Sequence, residues 1–329
     1  MVFHFDLSWL FVQIIAFISN DQNSHKAIDT YELKYPQPLK LAAIDIGSNA
    51  IRMQITHVLN FKGTITFKKI EYIRFPLRLG HDVFNRGKIS TKNEDKFIRL
   101  MNAFKMLIDL YEVDDHYACA TSAMRESANG MEIVEKVLVN CGLKIHVIDG
   151  ELEADLINKS LKSLIDTKSY LHIDVGGGST EFNLFVNREK VVSKSFKLGS
   201  VRSLEKTDNP EVWKEMQQWL KENIKNEYGA ITAIGTGGNI FKAFELAKRK
   251  PGGKITSRQI REVQLHISNL SMEERINVLF LNPDRADVIV PALDIYAKAM
   301  DWAKATSMIV PDTGLKEGLM YYLYEKAKQ

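Results

Sequence analysis

Two stretches of the sequence carry the same arrangement of an acidic residue and a glycine-rich turn. Residues 41–55 and 170–185 each run from an apolar segment through Asp, an apolar residue and Gly into small polar residues, then into a second apolar run. Asp45 and Asp174 hold equivalent positions in the two copies. Their spacing far exceeds the roughly 20–50 residues of solenoid repeats, so it indicates a duplicated domain.

These turns have the composition of a phosphate and metal site. Glycine lets the backbone approach an anion closely, and successive N–H groups can form a cradle for it. The candidate phosphate-binding residues are Gly47, Ser48, Asn49, Gly176, Gly177, Gly178, Ser179 and Thr180. Asp45 and Asp174 end the preceding strands, where they could hold Mg²⁺, which prefers one or two carboxylates with water and phosphate oxygens. Ordinary hairpin turns with capping aspartates are the alternative, but the repeated order favours the functional interpretation.

Alternating apolar residues after each turn predict a returning strand, and therefore a β-hairpin. A dinucleotide-binding fold requires a helix after G-x-G-x-x-G, and a P-loop requires G-x-x-x-x-G-K-[ST]. Neither pattern occurs at these turns. The sequence therefore argues against both nucleotide-binding folds.

Five segments in order resemble the exopolyphosphatase and guanosine pentaphosphate phosphatase family: IDIGSNAIRM, ATSAMR, GELEADL, IDVGGGSTE and AIGTGGN. The most specific is DVGGGSTE at 174–181, and the resemblance extends from about residue 41 to residue 325. That family belongs to the actin-like ATPase superfamily. The resemblance implies an α/β fold of two RNase-H-like lobes with the active site in the cleft between them, in the short, two-domain form of the family.

The expected domains are an N-terminal actin-like lobe at 41–150 and a C-terminal lobe at 151–329. The length of 329 residues accommodates two domains of roughly 100–200 residues each. Thr91 and Glu94 have the spacing of a capping box, which predicts the start of a long helix. A terminal helix from about Leu315 could pack back on the first lobe.

The resemblance also implies roles for individual residues. Glu153 matches the catalytic glutamate that activates the attacking water, and Arg125 matches an arginine that binds phosphate oxygens. Asp174 and Glu181 resemble the metal-holding acids, and Asp45 is a further candidate for the same Mg²⁺. A glutamate in the first turn of a helix is stabilising in any case, so the role of Glu153 depends on the match.

A third glycine loop precedes a predicted helix, where N–H groups and the helix dipole favour anions. Its candidate phosphate-binding residues are Gly235, Gly237 and Gly238. Two positions depart from the family: Leu152 stands where a second acid is common, and Asn239 where a hydroxyl residue is usual. Arg202 is a further candidate phosphate contact, and His172 is expected to be a packed core residue.

The charge and cysteine content of the sequence limit the binding partners and the cellular location that we expect. The net charge is +3, from 44 basic and 41 acidic side chains. This near balance gives no support for a nucleic-acid or membrane-surface partner. Cys119 and Cys141 cannot form a disulfide framework, and a reducing cytoplasm is the expected location. A homodimer is compatible with the sequence.

Residues 1–40 form a leader of a different character. The apolar run at 2–18 lacks the charged start and cleavage site of a signal peptide, and it is short for a membrane span. Three interpretations remain: a membrane-interface helix, a packed extra helix, or translated upstream sequence outside the working protein. The last is favoured, because the organised pattern begins only at Leu41.

Three functional hypotheses follow. The first is a hydrolase that releases terminal phosphate from polyphosphate or guanosine pentaphosphate by Mg²⁺-assisted in-line attack of water. The second is an ATP-dependent kinase of the same superfamily, and the third is a non-catalytic sensor of a guanosine polyphosphate. The ATSAMR and GELEADL segments favour the hydrolase, whereas Leu152 and Asn239 keep the sensor open.

Overall fold

The computed structural model describes residues 38–250 and 252–328. The three interpretations of the leader therefore fall on residues that lie almost wholly outside the described part of the chain. Within the described ranges, no helix combines the length and the apolar character that crossing a bilayer requires.

The first repeated hairpin forms the centre of a five-stranded sheet with the order β3-β2-β1-β4-β5. β1 pairs antiparallel with β2 and parallel with β4. Both faces of β1 are covered, which explains why it is a nearly continuous apolar run. The strands are β1 Leu39–Ile46, β2 Ile51–Phe61, β3 Thr64–Phe75, β4 Asp115–Ala120 and β5 Ile145–Val147.

The second repeated hairpin is the centre of a six-stranded sheet with the order β10-β11-β9-β6-β7-β8. β6 pairs antiparallel with β7 and parallel with β9, which repeats the arrangement around β1. Both predicted hairpins and the duplication are therefore present. The strands are β6 Ser169–Val175, β7 Thr180–Val186, β8 Glu189–Phe196, β9 Ile231–Thr236, β10 Lys254–Thr256 and β11 Ser307–Ile309.

Helices cover the sheets. Those that follow the first sheet's strands are α1 Leu79–Arg86, α2 Thr91–Leu110, α3 Ser122–Glu126 and α4 Gly130–Cys141. The remaining helices are α5 Gly150–Leu161, α6 Ser200–Leu204, α7 Pro210–Asn223, α8 Gly238–Leu246, α9 Ser257–Ser268, α10 Met272–Asn277, α11 Pro283–Ala286, α12 Ile289–Trp302 and α13 Leu315–Lys326.

The predicted capping box at α2 is wrong by one residue. The N-cap is Ser90, whose hydroxyl accepts a hydrogen bond from the Asn93 N–H at 3.4 Å. Thr91 is already helical, and an N-cap residue must have extended backbone so that its side chain can reach the N–H groups that follow. Strands β3 and β8 are additions that the sequence did not predict, because their exposed faces weaken the apolar alternation.

Apolar residues form three cores, one within each lobe and one between the two sheets. The middle core contains α5 and α13, and α13 also lies against β1 of the first lobe. The two helices cross at Gly318, where a Cβ atom would lie only 1.9 Å from the Leu156 carbonyl oxygen. This crossing holds α5, and therefore Glu153, between the lobes.

Candidate active site

The two glycine turns meet at the ends of β1 and β6. A Cβ atom on Gly177 would lie 2.8 Å from Ser48 Cβ and 3.4 Å from the Asn49 nitrogen. A cavity of about 330 Å³ opens beside them. Among the sequence-predicted residues, those that line it are Asp45, Gly47, Ser48, Asn49, Glu153, Asp174, Gly176, Gly177, Ser179, Gly237 and Gly238.

The two repeats differ in the residue that lies opposite the aspartate on the neighbouring strand. Asp45 lies directly opposite Arg52 on β2, whereas Asp174 lies directly opposite Glu181 on β7. Arg52 Nη1 forms an ion pair with Asp45 Oδ2 at 2.7 Å. The first lobe therefore neutralises its aspartate internally, whereas the second sets two carboxyls side by side.

Burial disfavours the ionised forms of Asp174 and Glu181. The pKa of Asp174 is raised to about 6, chiefly by burial and also by the charge of Asp45. The pKa of Glu181 is raised to about 7 by burial and by Asp174. Like charges that face each other in a buried site disfavour the ionised form. A nearby cation would therefore favour ionisation of the pair.

Glu153 adds a third acid from α5. Asp149 caps that helix, accepting a hydrogen bond from the Leu152 N–H at 2.8 Å, so that Glu153 lies in the first turn. The Glu153 side chain faces inward and is 8% exposed, whereas Leu152 is 44% exposed on the outer face. Burial, followed by the charges of Glu181 and Asp174, raises the pKa of Glu153 well above the usual value. The departure at Leu152 therefore lies away from the acidic cluster.

The acidic cluster fits a hard divalent cation such as Mg²⁺. Glu153 Oε2 and Glu181 Oε2 are both buried and have no hydrogen-bond partner among the described residues. Within residues 38–250 and 252–328, no group of three or more His, Cys, Asp or Glu side chains is arranged around one ion. Mg²⁺ needs only one or two carboxylates, and keeps several waters. Asp174 and Glu181 are the best donors, since Arg52 already neutralises Asp45.

The second glycine turn has the polarity of an anion site. The carbonyl oxygens of Gly176 and Gly177 accept hydrogen bonds from the first N–H groups of α6. No described residue accepts a hydrogen bond from the N–H of Gly177 or Gly178. In the third loop Gly237 has a φ of 106°, which only glycine adopts readily. These backbone donors suit a phosphate group.

Three sequence-predicted phosphate ligands do not line the cavity. The Thr180 hydroxyl donates to the Leu198 carbonyl at 2.6 Å. Gly235 packs on Met308, whose sulfur would be 2.3 Å from an added Cβ, and Gly178 packs tightly against α1 and α3. All three have packing roles that support the loops.

Both candidate arginines make contacts that the sequence did not reveal. Arg125 Nη1 donates to the Ile148 carbonyl at 2.5 Å, and the Arg125 charge opposes the rise in the pKa of Glu153. It lies near the acids without lining the cavity. Arg202, the further candidate phosphate contact, does not line the cavity either: its guanidinium donates to the Gly178 carbonyl and to both oxygens of Glu126, each at 2.9 Å. Arg202 instead fixes the second turn against the first lobe.

Residues 58–327 match the sequence model of the Ppx/GppA phosphatase family. The chain belongs to this family.

Among curated relatives, a bifunctional 3-dehydroquinate synthase/phosphatase of Fusobacterium nucleatum is 30% identical over 85% of this chain, which spans only 46% of that protein. Exopolyphosphatase 1 of Mycobacterium tuberculosis is 22% identical, with 86% of this chain and 87% of the relative covered.

Solved structures agree with the two-lobed architecture. The Aquifex aeolicus member of the Ppx/GppA family has a TM-score of 0.70 at 26% identity, covering 88% of this chain and 99% of that chain. An exopolyphosphatase from Cytophaga hutchinsonii has a TM-score of 0.76 at 20% identity, over 87% and 98% of the two chains. The expected two-lobed α/β fold is confirmed, and it is the fold of the Ppx/GppA family.

This Ppx/GppA family member has a basic rim around the cavity that sequence reasoning missed. Its members are Arg52, Lys69, Arg74, Arg285 and Lys316, with Tyr72 among them. The Arg285 guanidinium has no hydrogen-bond partner among the described residues, and its pKa is lowered by burial and by the charges of Arg74 and Arg52. Crowded guanidinium groups are typical of an anion site. Only Arg52 lies within a recognisable motif, and the others come from β3, α11 and α13.

The acidic pair predicts an unusual pH dependence of stability in the metal-free protein. Because the folded-state pKa of Glu181 is about 7, above the usual glutamate value, its contribution to stability is full at low pH and is lost as the pH rises through 7. Glu181→Gln should therefore stabilise the metal-free protein at pH 8 by on the order of 1–3 kcal/mol, and hardly at all at pH 5. Urea unfolding with a chelator present measures the difference.

Glu189→Gln is the matched control, because Glu189 is exposed on β8. It should show no such pH dependence. Equal unfolding free energies for Glu181→Gln and the wild type at pH 8 would contradict the assigned repulsion.

Proposed function

We propose that this chain is a Mg²⁺-dependent hydrolase that releases the terminal phosphate of inorganic polyphosphate. The observation that carries this proposal is Glu153: a buried carboxyl group with an unpartnered oxygen lines one cavity with Asp174 and the glycine turns, and it feels the charge of Glu181. A water-activating base, a metal-binding pair and an anion cradle are the parts that phosphoryl transfer to water requires.

Substrate binding is assigned to the backbone of the glycine turns. The N–H group of Gly177, which lines the cavity, has no acceptor among the described residues, while α6 occupies the turn's carbonyl groups. The terminal phosphate would take backbone donors of this kind. Because they are fixed by the fold, they stabilise developing negative charge without rearrangement.

Asp174 and Glu181 are the residues proposed to hold Mg²⁺. When bound, the ion would neutralise charge on the phosphate oxygens and orient them for in-line attack. Ser195 donates to Glu181 Oε1 at 2.9 Å, which fixes that carboxylate and leaves Oε2 available. Asp45 is assigned a supporting electrostatic role, since Arg52 is its direct partner.

Glu153 is assigned the role of general base. Burial and the neighbouring acids raise its pKa, so its carboxylate takes up a proton more readily than an exposed glutamate does. Such a base operates most efficiently when its pKa is near the working pH. Arg125 is assigned to the charge balance beside Glu153 and Glu181.

The basic rim favours a substrate in which the portion beyond the terminal phosphate is a long polyanion. Lys69 and Arg285 line the cavity without an acidic partner among the described residues, so phosphate groups beyond the cleaved bond would meet positive charge. Lys316 also lines the cavity and is paired with Glu317. Guanosine pentaphosphate is the second candidate substrate. It is favoured by Tyr72, which is 40% exposed and offers a ring to a base at the cavity.

Parallel phosphate-release assays on long polyphosphate, guanosine pentaphosphate and ATP, each with Mg²⁺, test the proposal. We expect the highest kcat/KM with polyphosphate. Release from ATP together with transfer to an acceptor would favour a kinase. Tight binding of a guanosine polyphosphate without phosphate release would favour a sensor, and either result would overturn the hydrolase assignment.

Glu153→Gln should lower kcat by roughly 10²–10⁴-fold, the usual cost of losing a general base. The amide keeps the shape of the side chain but cannot accept a proton, so substrate binding should persist. Glu151→Gln is the control, because Glu151 lies on the same helical turn and is exposed. A Glu153→Gln turnover within about threefold of wild type would exclude Glu153 as the base.

Arg285→Ala should raise KM for polyphosphate by roughly tenfold or more, since a hydrogen bond to a charged group contributes about 1.5–3 kcal/mol. Arg258→Ala is the control, because the Arg258 side chain is 88% exposed and lies outside the cavity. If both variants have the wild-type KM, the rim does not bind the substrate chain.

A further inference from the structure

A chain of polar side chains crosses the interior of the second lobe and ends on Asp174. Asn158 Nδ2 donates to Asn183 Oδ1 at 3.2 Å, and Asn183 Nδ2 is 3.0 Å from His172 Nδ1. His172 Nε2 is 2.8 Å from the Thr236 hydroxyl, which donates to Asp174 Oδ1 at 2.8 Å. The chain connects α5, which carries Glu153, to β7, β6 and β9 in turn.

These hydrogen-bonded side chains lie in the protein interior, where burying polar groups costs free energy. His172 and Asn183 are fully buried and Thr236 is 1% exposed, while Leu171 and Ile173 on either side of His172 belong to the apolar core. Buried polar groups cost free energy unless each is hydrogen-bonded. His172 is therefore more than the packed core residue that the sequence suggested.

The first lobe provides an internal comparison. By strand register, the positions equivalent to His172, Asn183 and Thr236 are occupied by Ala43, Gln54 and Cys119. Among the described residues, no corresponding chain reaches the aspartate of the first lobe. Within the described part of the protein, the chain of hydrogen-bonded side chains is therefore specific to the second lobe, where the aspartate has no arginine opposite it.

The Asp174 carboxylate fixes the direction of each hydrogen bond between these side chains. An ionised Asp174 can only accept, so Thr236 donates to it and must accept from His172 Nε2–H. Nδ1 of the neutral imidazole is then the acceptor for the Asn183 amide, whose oxygen accepts from Asn158. One tautomer of His172 is thus consistent with every hydrogen bond from Asn158 Nδ2 to Asp174 Oδ1.

A second contact fixes Thr236 through its backbone. The Tyr296 hydroxyl donates to the Thr236 carbonyl and accepts the Val175 N–H, the latter at 3.1 Å. Thr236 and the end of β6 are therefore held together, independently of the side-chain hydrogen bond to Asp174.

We propose that His172 and Thr236 are positioning residues that orient Asp174 for the divalent cation. The Thr236 hydroxyl donates a hydrogen bond to Asp174 Oδ1, so Asp174 Oδ2 is the oxygen that would face the ion. This inference rests on the proposed function only in taking Asp174 as a metal ligand. Partners that orient a ligating carboxylate typically affect metal affinity by about 10–100-fold.

The test uses Thr236→Val, which removes the hydroxyl at nearly constant shape, and Thr236→Ser, which restores it. Thr56→Val is the matched control, since Thr56 is buried in the first sheet and accepts from Gln54 at 3.1 Å. Mn²⁺ binding is measured directly by the electron paramagnetic resonance signal of the free ion. The Mg²⁺ concentration for half-maximal phosphate release is measured in parallel.

Thr236→Val should weaken Mn²⁺ binding by about 10–100-fold. Thr236→Ser and Thr56→Val should stay within about threefold of wild type. Equal binding by the two valine variants, or binding by Thr236→Ser as weak as by Thr236→Val, overturns the proposal. If wild type binds Mn²⁺ but releases no phosphate from any substrate, the proposed function fails, while these binding ratios still decide the inference.

A measurement on the wild type makes the test independent of whether the variants fold. Long-range ¹⁵N–¹H correlation of the His172 ring should show the proton on Nε2. The Nδ1–H tautomer would reverse the direction of the chain and overturn the proposal. His172→Leu, which breaks the chain one step earlier, should also weaken Mn²⁺ binding, and wild-type affinity in that variant would contradict it.

Discussion

The structure depends on one cross-strand pair. Asp174 and Glu181 lie directly opposite each other on β6 and β7, in the place where the first lobe pairs Asp45 with Arg52. Like charges in this arrangement are destabilising, and burial raises the pKa of both carboxyls. A cation would therefore stabilise the ionised pair in the second lobe, whereas the aspartate of the first lobe is paired with Arg52. The two hairpins are similar, and the residue opposite each aspartate gives them different chemistry.

The cavity brings together buried acids and a set of basic side chains, which suits a phosphate chain and its ion. The acids lie on the buried floor, where Glu153 joins the pair from α5. The basic rim comes from elements of both lobes, and Asp312 and Glu317 also line the cavity, with Glu317 paired to Lys316. Contacts between the lobes hold these parts in place: Arg202 with Glu126 is one, and Asn49 Nδ2 with the Asp284 carbonyl at 2.7 Å is another.

Local pattern in the sequence predicted both hairpins, because a glycine turn between apolar strands is encoded within about fifteen residues. Glu153 required the family resemblance, since a glutamate in a first helical turn is common for stability alone. The rest depends on contacts between distant residues. Arg285 approaches Arg74 and Arg52 only after folding, and the hydrogen bonds of His172 depend on β7 and β9 lying on either side of β6. Arg202 was misjudged for the same reason, because Glu126 lies 76 positions away.

The most direct test is the location of the ion. Anomalous diffraction from crystals grown with Mn²⁺ would place the metal without reference to activity. The account predicts one strong peak within coordinating distance of the carboxylates of both Asp174 and Glu181. A peak beside Asp45 with none at Asp174, or no peak in the acidic cluster at saturating Mn²⁺, would contradict it.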